Sequence, residues 1–156
     1  MRQKFKYYWE DFSVGVVREF GQRKITEQEI VEFAREYDPQ RFHISQDEAE
    51  QTIFKGLIAS GWQTCSIMMR MMCDDFLLDS SSMGSPGLEN LKWHKPVRPN
   101  DVLSLRTEVL EARAMKSKPD TGLVHLLWQC KNQEDEVVTS MQGWMMFLKR
   151  DSQPSS

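Results

Sequence analysis

The sequence predicts an α+β domain in which one long apolar helix is wrapped by an antiparallel sheet. Three features of the chain point to it. Residues 57–78 are mostly apolar and contain no proline. From residue 88 onward the apolar pattern changes from helical spacing to alternation. Short turn signals separate the alternating segments, as consecutive antiparallel strands require.

The first 20 residues are strongly aromatic, with Tyr7, Tyr8, Trp9 and Phe12 ahead of Val14-Gly15. They read as a lead-in segment or short strand laid on the domain. Thr26-Glu27-Gln28-Glu29 has the form of a capping box, and Ile30, Phe33, Ala34 and Tyr37 then recur at helical spacing. Pro39 disfavours helical geometry at Asp38, so the helix is expected to end there. Ser45-Gln46-Asp47-Glu48 opens a second short helix to about Ile53, which Gly56 stops.

The helix over 57–78 is apolar nearly all round through Ile67, Met68, Met69, Met71, Met72 and Phe76, so protein is expected to cover most of it. Arg70, Asp74 and Asp75 argue against a membrane span. A loop rich in serine and glycine follows over 80–87. Four strands are expected at 88–97, 102–112, 123–132 and 137–148, with Pro99-Asn100, Asp120-Thr121-Gly122 and Asn132-Gln133 in the turns. A sheet curled around one buried helix is a hot-dog arrangement.

A chain of 156 residues suits a single domain. We assign it residues 1–150, with 151–156 as a disordered tail. A net charge of −3 speaks against a general nucleic-acid binder, and no membrane association is expected. The N-terminal stretch lacks the apolar block of a signal peptide. The three cysteines form no Cys-x-x-Cys pair and read as reduced thiols in a cytoplasmic protein. Cys65 and Cys73 fit as core filler. No cluster of metal ligands is present in the sequence, so no metal is expected.

The segment most suggestive of chemistry is Tyr37-Asp38-Pro39-Gln40-Arg41-Phe42-His43. It sets an acid and an imidazole five positions apart in an irregular loop behind a helix. Leu57-Ile58-Ala59-Ser60-Gly61-Trp62 then puts a turn of small residues at the head of the long helix. A carboxylate and an imidazole can bind one water and move its protons. Backbone amides around Ser60 and Gly61, with the helix dipole behind them, can stabilise a developing oxyanion. Ser60 lacks the Gly-x-Ser-x-Gly elbow of a nucleophile and fits a capping or ligand-binding role. By themselves, Asp-Pro behind a helix also reads as a turn device and His43 as an ordinary structural residue.

Several blocks together resemble the MaoC-like dehydratases, relatives of the (R)-specific enoyl-CoA hydratases. They are Trp9-Glu10-Asp11-Phe12-x-x-Gly15, Phe33-Ala34-x-x-Tyr37-Asp38-Pro39-Gln40-x-Phe42-His43 and Phe54-x-Gly56-Leu57-Ile58-Ala59-Ser60-Gly61-Trp62. Gly84-Ser85-Pro86-Gly87, Trp93-x-x-Pro96-Val97-Arg98-Pro99-x-Asp101 and Asn132-Gln133 continue the series. The resemblance implies a hot-dog fold, a homodimer or higher homo-oligomer joined sheet edge to sheet edge, and acyl thioesters of coenzyme A as substrates. In the related hydratases, Asp and His in Asp-x-Asn-Pro-x-His hold the catalytic water, and Asp38 and His43 keep that separation. Pro39 directly follows the acid here and Gln40 stands where those enzymes have Asn, so the match is to an Asp-Pro-Gln branch. Lys55 occupies a position where the pattern has glycine.

The resemblance implies a lyase that reversibly hydrates a 2-enoyl-CoA, or dehydrates the 3-hydroxyacyl form, in fatty acid metabolism. It needs no cofactor beyond the coenzyme A of the substrate. Asp38 is the expected base and His43 orients the water and shares proton delivery, with Ser60 and Gly61 at the oxyanion. Lys55, Arg98, Arg113 and Lys116 are candidates for the coenzyme A phosphates; the sheet cations among them equally read as a solvated charged edge. His94 and His125 lie in predicted strands and read as structural. A hot-dog thioesterase and a non-catalytic acyl-thioester binding module are the rival readings.

Overall fold

Thr26 starts the first helix as its capping box predicts. Its hydroxyl accepts from the Glu29 amide at 3.2 Å, and Glu29 accepts from the Thr26 amide at 2.8 Å. The computed structural model describes residues 5–151. The tail expected at 151–156 therefore lies, apart from Asp151, outside the described residues.

Helix α1 runs Glu27–Tyr37 and buries Ile30 and Ala34, and Asp38 terminates it with non-helical backbone. The following segment is more regular than its sequence suggests. Arg41–Ile44 forms a single helical turn, α2, so His43 stands on a helix rather than in an irregular loop. Helix α3, Gln46–Glu50, is capped by the Ser45 hydroxyl.

The long helix differs from expectation at both ends. Helix α4 spans Gly61–Met72, and a π-helical turn at Cys73–Leu77 continues it. Residues 57–60 are buried, non-helical chain, fixed by Ile58 N–H to Phe42 O at 3.1 Å and Ala59 N–H to Val97 O at 2.9 Å. The expected cover is also incomplete. Met68, Met71 and Met72 are buried, but Trp62, Ser66, Met69 and Arg70 share an exposed face. These positions recur at helical spacing, so one side of α4 is open in the single chain.

Five strands form one sheet, β1 (Val17–Lys24), β2 (Gly87–Trp93), β3 (Val102–Ala114), β4 (Thr121–Lys131) and β5 (Val137–Leu148), in the order β1-β3-β4-β5-β2. All neighbouring pairs are antiparallel. Strand β1 begins inside the predicted lead-in, runs four residues past it, and pairs with β3 along the edge. Its Arg18, Glu19, Arg23 and Lys24 hide the alternation that marks the inner strands.

The inner face of the sheet contributes Leu103, Leu105, Val109, Val124, Leu126, Trp128, Met141, Met145 and Phe147 to a core that also takes Met68, Met72 and Phe76. This is the predicted hot-dog architecture. Cys130 is buried with them, and burial pushes its thiol up to about 12. No helix among the described residues is long and apolar enough to cross a membrane.

Candidate active site

Two pieces of chain meet at the head of α4. The α1–α2 connection supplies Asp38 and His43, and the buried stretch 57–60 leads into Ser60 and Gly61. The hydrogen bond from the Ile58 amide to the Phe42 carbonyl joins the two pieces one residue from the imidazole.

Asp38 and His43 face each other, with Oδ2 and Nε2 3.2 Å apart. The Asp38 side chain retains 17% exposure and that of His43 only 6%, so water reaches the pair from the acid's side. At this separation a water cannot stand in line between the two groups; it can touch both from the open side. His43 Nδ1 lies 2.8 Å from the Ile58 carbonyl oxygen. A carbonyl only accepts, so Nδ1 donates, and Nε2 is the ring atom left to exchange a proton.

Asp38 collects further donors. The Ser60 hydroxyl donates to Oδ2 at 2.7 Å and the Gln40 amide to Oδ1 at 2.7 Å. Partial burial pushes the carboxyl up. The hydrogen bonds from Gln40 and Ser60 and the positive form of His43 outweigh it, and the net displacement is below the ordinary carboxylate range. A carboxylate is therefore the resting form at neutral pH.

Ser60 works in both directions, since its oxygen also accepts from the Trp62 amide at 3.3 Å and caps α4. The Gly61 amide, at the first position of α4, has no hydrogen-bond partner among the described residues. Beside it lies the indole of Trp93, close enough that a Cβ on Gly61 would overlap the ring. The free space expected at this glycine is thus held by Trp93, which also packs edge-on against Trp62 with ring centroids 5.5 Å apart.

Asp38, His43, Gly61, Trp93, Thr64 and Thr139 line one cavity of about 460 Å³, while Ser60 is fully buried behind Asp38. A larger cavity of about 710 Å³ lies between β1, α1 and α4 and contains none of the predicted site residues. His94 reaches the rim of the first cavity and contacts the Ser140 hydroxyl at 2.7 Å. His125 stacks on Trp144. Among the described residues no group of three or more His, Cys, Asp or Glu side chains could hold a metal ion.

The four candidate phosphate contacts separate. Lys55 is exposed, adjoins the cavity-lining Phe54, and has φ of 54°, a left-handed conformation that favours glycine. Arg98 is committed internally, because its guanidinium donates to the carbonyls of Phe54 and Gly56. Arg113 stacks over Trp144, 4.6 Å from the ring centroid, and Lys116 is exposed in the β3–β4 turn. Arg113 pairs with Leu123, which pairs with Met146. Met146 is seven residues from Thr139 along β5, about 23 Å at ~3.3 Å per residue. Within one chain, Arg113 and Lys116 therefore belong to the other end of the sheet.

Sequence reasoning did not assign Gln40 its bond to the acid, Ile58 its role in fixing the imidazole, or Trp93 its place over Gly61. Gln40 and Trp93 were visible in the matched blocks. The Ile58 contribution is a backbone carbonyl and leaves no residue-type signal.

A hot-dog domain with an acid, an imidazole and a helix N-terminus around one cavity has the outline of a dehydratase or hydratase. Residues 12–126 match the model of the MaoC like domain, and the chain belongs to that family. It is 34% identical to a MaoC-like dehydratase from Rhodospirillum rubrum, whose crystal structure superimposes with a TM-score of 0.87 over 94% of this chain and 99% of that one. A monoamine oxidase regulatory protein from Archaeoglobus fulgius gives 28% identity and a TM-score of 0.82, over 92% and 95% of the two chains. YdeM of Bacillus subtilis, an uncharacterized protein, is 28% identical across 81% of this chain and 88% of its own length. An (R)-hydratase of Pseudomonas aeruginosa shares the fold, with a TM-score of 0.70 at 21% identity over 96% and 95% of the chains.

Proposed function

We propose that the protein is a hydro-lyase acting on acyl-CoA thioesters, adding water to a 2-enoyl-CoA or removing it from the 3-hydroxyacyl form. The observation that carries this reading is the meeting of Asp38, His43 and the free Gly61 amide around one cavity, with the Ser60 hydroxyl bonded to the acid from behind. Membership of the MaoC-like family supports the same class of reaction.

In the hydration direction a water sits against Asp38 and His43. Asp38 takes its proton as the water oxygen bonds to the β-carbon. The electrons of the C=C bond move toward the thioester oxygen, whose growing charge meets the amides at the head of α4. The enolate then collapses as the α-carbon takes a proton that passes through the Asp38–His43 pair, so one water is added overall. Gln40 and Ser60 keep Asp38 ionised and oriented. Trp93 must yield for the thioester oxygen to approach Gly61. The scheme uses no cofactor beyond the coenzyme A of the substrate. Lys55 is our choice for a phosphate contact at the cavity mouth, on account of its exposure beside Phe54.

We infer a homodimer formed through β2. That strand is an open sheet edge, and Leu88 and Trp93 along it, with Trp62 and Met69 on α4, are exposed apolar side chains. The three free thiols suit a reducing compartment, and we assign the protein to the cytoplasm.

The test is loss of the enoyl absorbance of crotonyl-CoA and of longer or branched homologues. Purified protein should consume the absorbance without releasing a free thiol. Release of coenzyme A from saturated thioesters would instead identify a thioesterase. Binding without turnover across the series would leave a binding module. Asp38→Asn should lower turnover by about 10²- to 10⁴-fold in a folded protein; an unchanged rate would overturn the assignment.

A further inference from the structure

Among the described residues, four buried side-chain nitrogen or oxygen atoms have no hydrogen-bond partner, and one of them, Thr139 Oγ1, belongs to a residue lining the cavity of Asp38 and His43. A buried hydroxyl without a partner is costly, and an apolar residue of the same shape would remove the cost. Thr139 lines a ligand-sized cavity, so a ligand group pressed against the enclosed end could complete the hydroxyl.

Burial gives the cavity a direction. Thr139 is 1% exposed, Thr64 2% and Val97 3%, whereas Trp93 is 47% and Trp62 57% exposed. Within the single chain the threonines therefore belong to the enclosed end and the tryptophans to the end that faces the inferred dimer partner. Trp93 and Thr139 are register partners on β2 and β5, and the Trp93 ring reaches Gly61. A thioester held at Gly61 consequently needs only a short acyl group to extend to Thr139.

We propose that Thr139 is a specificity-determining residue, and that the favoured substrate is a short acyl thioester carrying a neutral oxygen (hydroxyl, ether or carbonyl) near the end of its acyl group. The class is neutral for a reason visible in the lining. His43 is already engaged by Asp38 and Ile58, and Lys95 lies at the exposed rim and pairs with Glu136, so no cation awaits a carboxylate at the enclosed end. A threonine hydroxyl can donate or accept, which suits all three oxygen types. This inference deepens the hydro-lyase reading and rests on it for the position of the thioester.

The test uses saturated thioesters, so that binding is measured without turnover. Isothermal titration of the full chain should show 4-hydroxybutyryl-CoA binding at least tenfold more tightly than butyryl-CoA. Thr139→Val should collapse that ratio to near one, and Thr139→Ser, which keeps the hydroxyl, should preserve most of it. Thr139→Val is expected to fold with an unchanged or raised Tm, because the hydroxyl it removes is unpartnered. Equal affinity for the two thioesters in the parent protein, or a ratio that survives Thr139→Val, overturns the proposal. Hydration assays separate it from the broader reading. Crotonyl-CoA hydrated without any preference for an oxygen-bearing acyl group sinks this inference alone. A Thr139-dependent binding ratio in a protein that hydrates nothing upholds it and sinks the lyase assignment.

Discussion

The Ser60 hydroxyl donates to Asp38 Oδ2, the same carboxylate oxygen that faces His43 Nε2. One small side chain thus caps α4 and orients the candidate base. Ser60→Ala should cost about 1 kcal/mol of stability through the lost cap. It should also lower turnover by about tenfold or more, since a hydrogen bond to a charged group is worth about 1.5–3 kcal/mol. Urea unfolding and steady-state kinetics on one preparation separate the two effects. Loss of stability alone would reduce Ser60 to a cap.

Gln40 holds the other oxygen of Asp38 and helps displace its carboxyl below the ordinary range. Gln40→Ala should raise that pKa, so the acid limb of the kcat/KM profile moves to higher pH. The sign for stability follows from the same displacement. A carboxyl whose pKa is lower folded than unfolded stabilises fully above the unfolded value, about pH 4, and the contribution is lost as pH falls through the lowered folded value. In Gln40→Ala the contribution should be smaller and its loss complete at a higher pH, which acid titration followed by circular dichroism would detect.

Gly61 tolerates no Cβ while the Trp93 indole lies against it. Gly61→Ala should destabilise the protein by about 1–3 kcal/mol, the range for overpacking. Pairing it with Trp93→Ala should recover most of that loss, because the double variant removes the obstacle. Denaturation midpoints of the two single variants and the double variant form the required cycle. Additive losses would exclude direct contact as the cause.

Arg98 bonds the carbonyls of Phe54 and Gly56, and the Asp101 carboxylate accepts from its amide at 2.9 Å. Replacing Arg98 with Ala should loosen the chain before Ile58, costing about 1–3 kcal/mol for the unpaired carbonyls. Lys should rescue little, since an ammonium lacks the planar fork that reaches two acceptors. If Arg98→Ala instead keeps full stability and raises KM for coenzyme A thioesters, its role is phosphate binding.

Lys55 adopts left-handed backbone, so Lys55→Gly removes charge without imposing strain. A phosphate contact there predicts a several-fold higher KM at low salt and a shallower dependence of KM on ionic strength. An unchanged salt dependence would exclude that role.

The helix boundaries and inner strands could be read from the chain because each leaves a local mark. Thr26 and Glu29 cap α1, Pro39 ends it, and alternation runs through Leu103, Leu105, Thr107 and Val109. Strand β1 was harder to read because charges crowd an edge that packs on one neighbour only. The single turn holding His43 is too short for periodicity to register. Asp38, His43, Ser60 and Gly61 stood out by residue type and by the matched blocks around them. Gln40 and Thr139 did not, because an amide or a hydroxyl becomes informative only when its partner, or the lack of one, is known.

By itself, the order of residues determined the α+β class, the wrapped helix and the chemical kinds gathered at its head, since capping, chain reversal and amphipathic period act between near neighbours. Folding in three dimensions decided which atoms touch. It turned Nδ1 of His43 toward a backbone oxygen, drew Arg98 into the interior, laid Trp93 across Gly61 and left Thr139 without a partner. Those outcomes depend on contacts between segments 15 to 44 residues apart, and such contacts are set by the packing of the whole core.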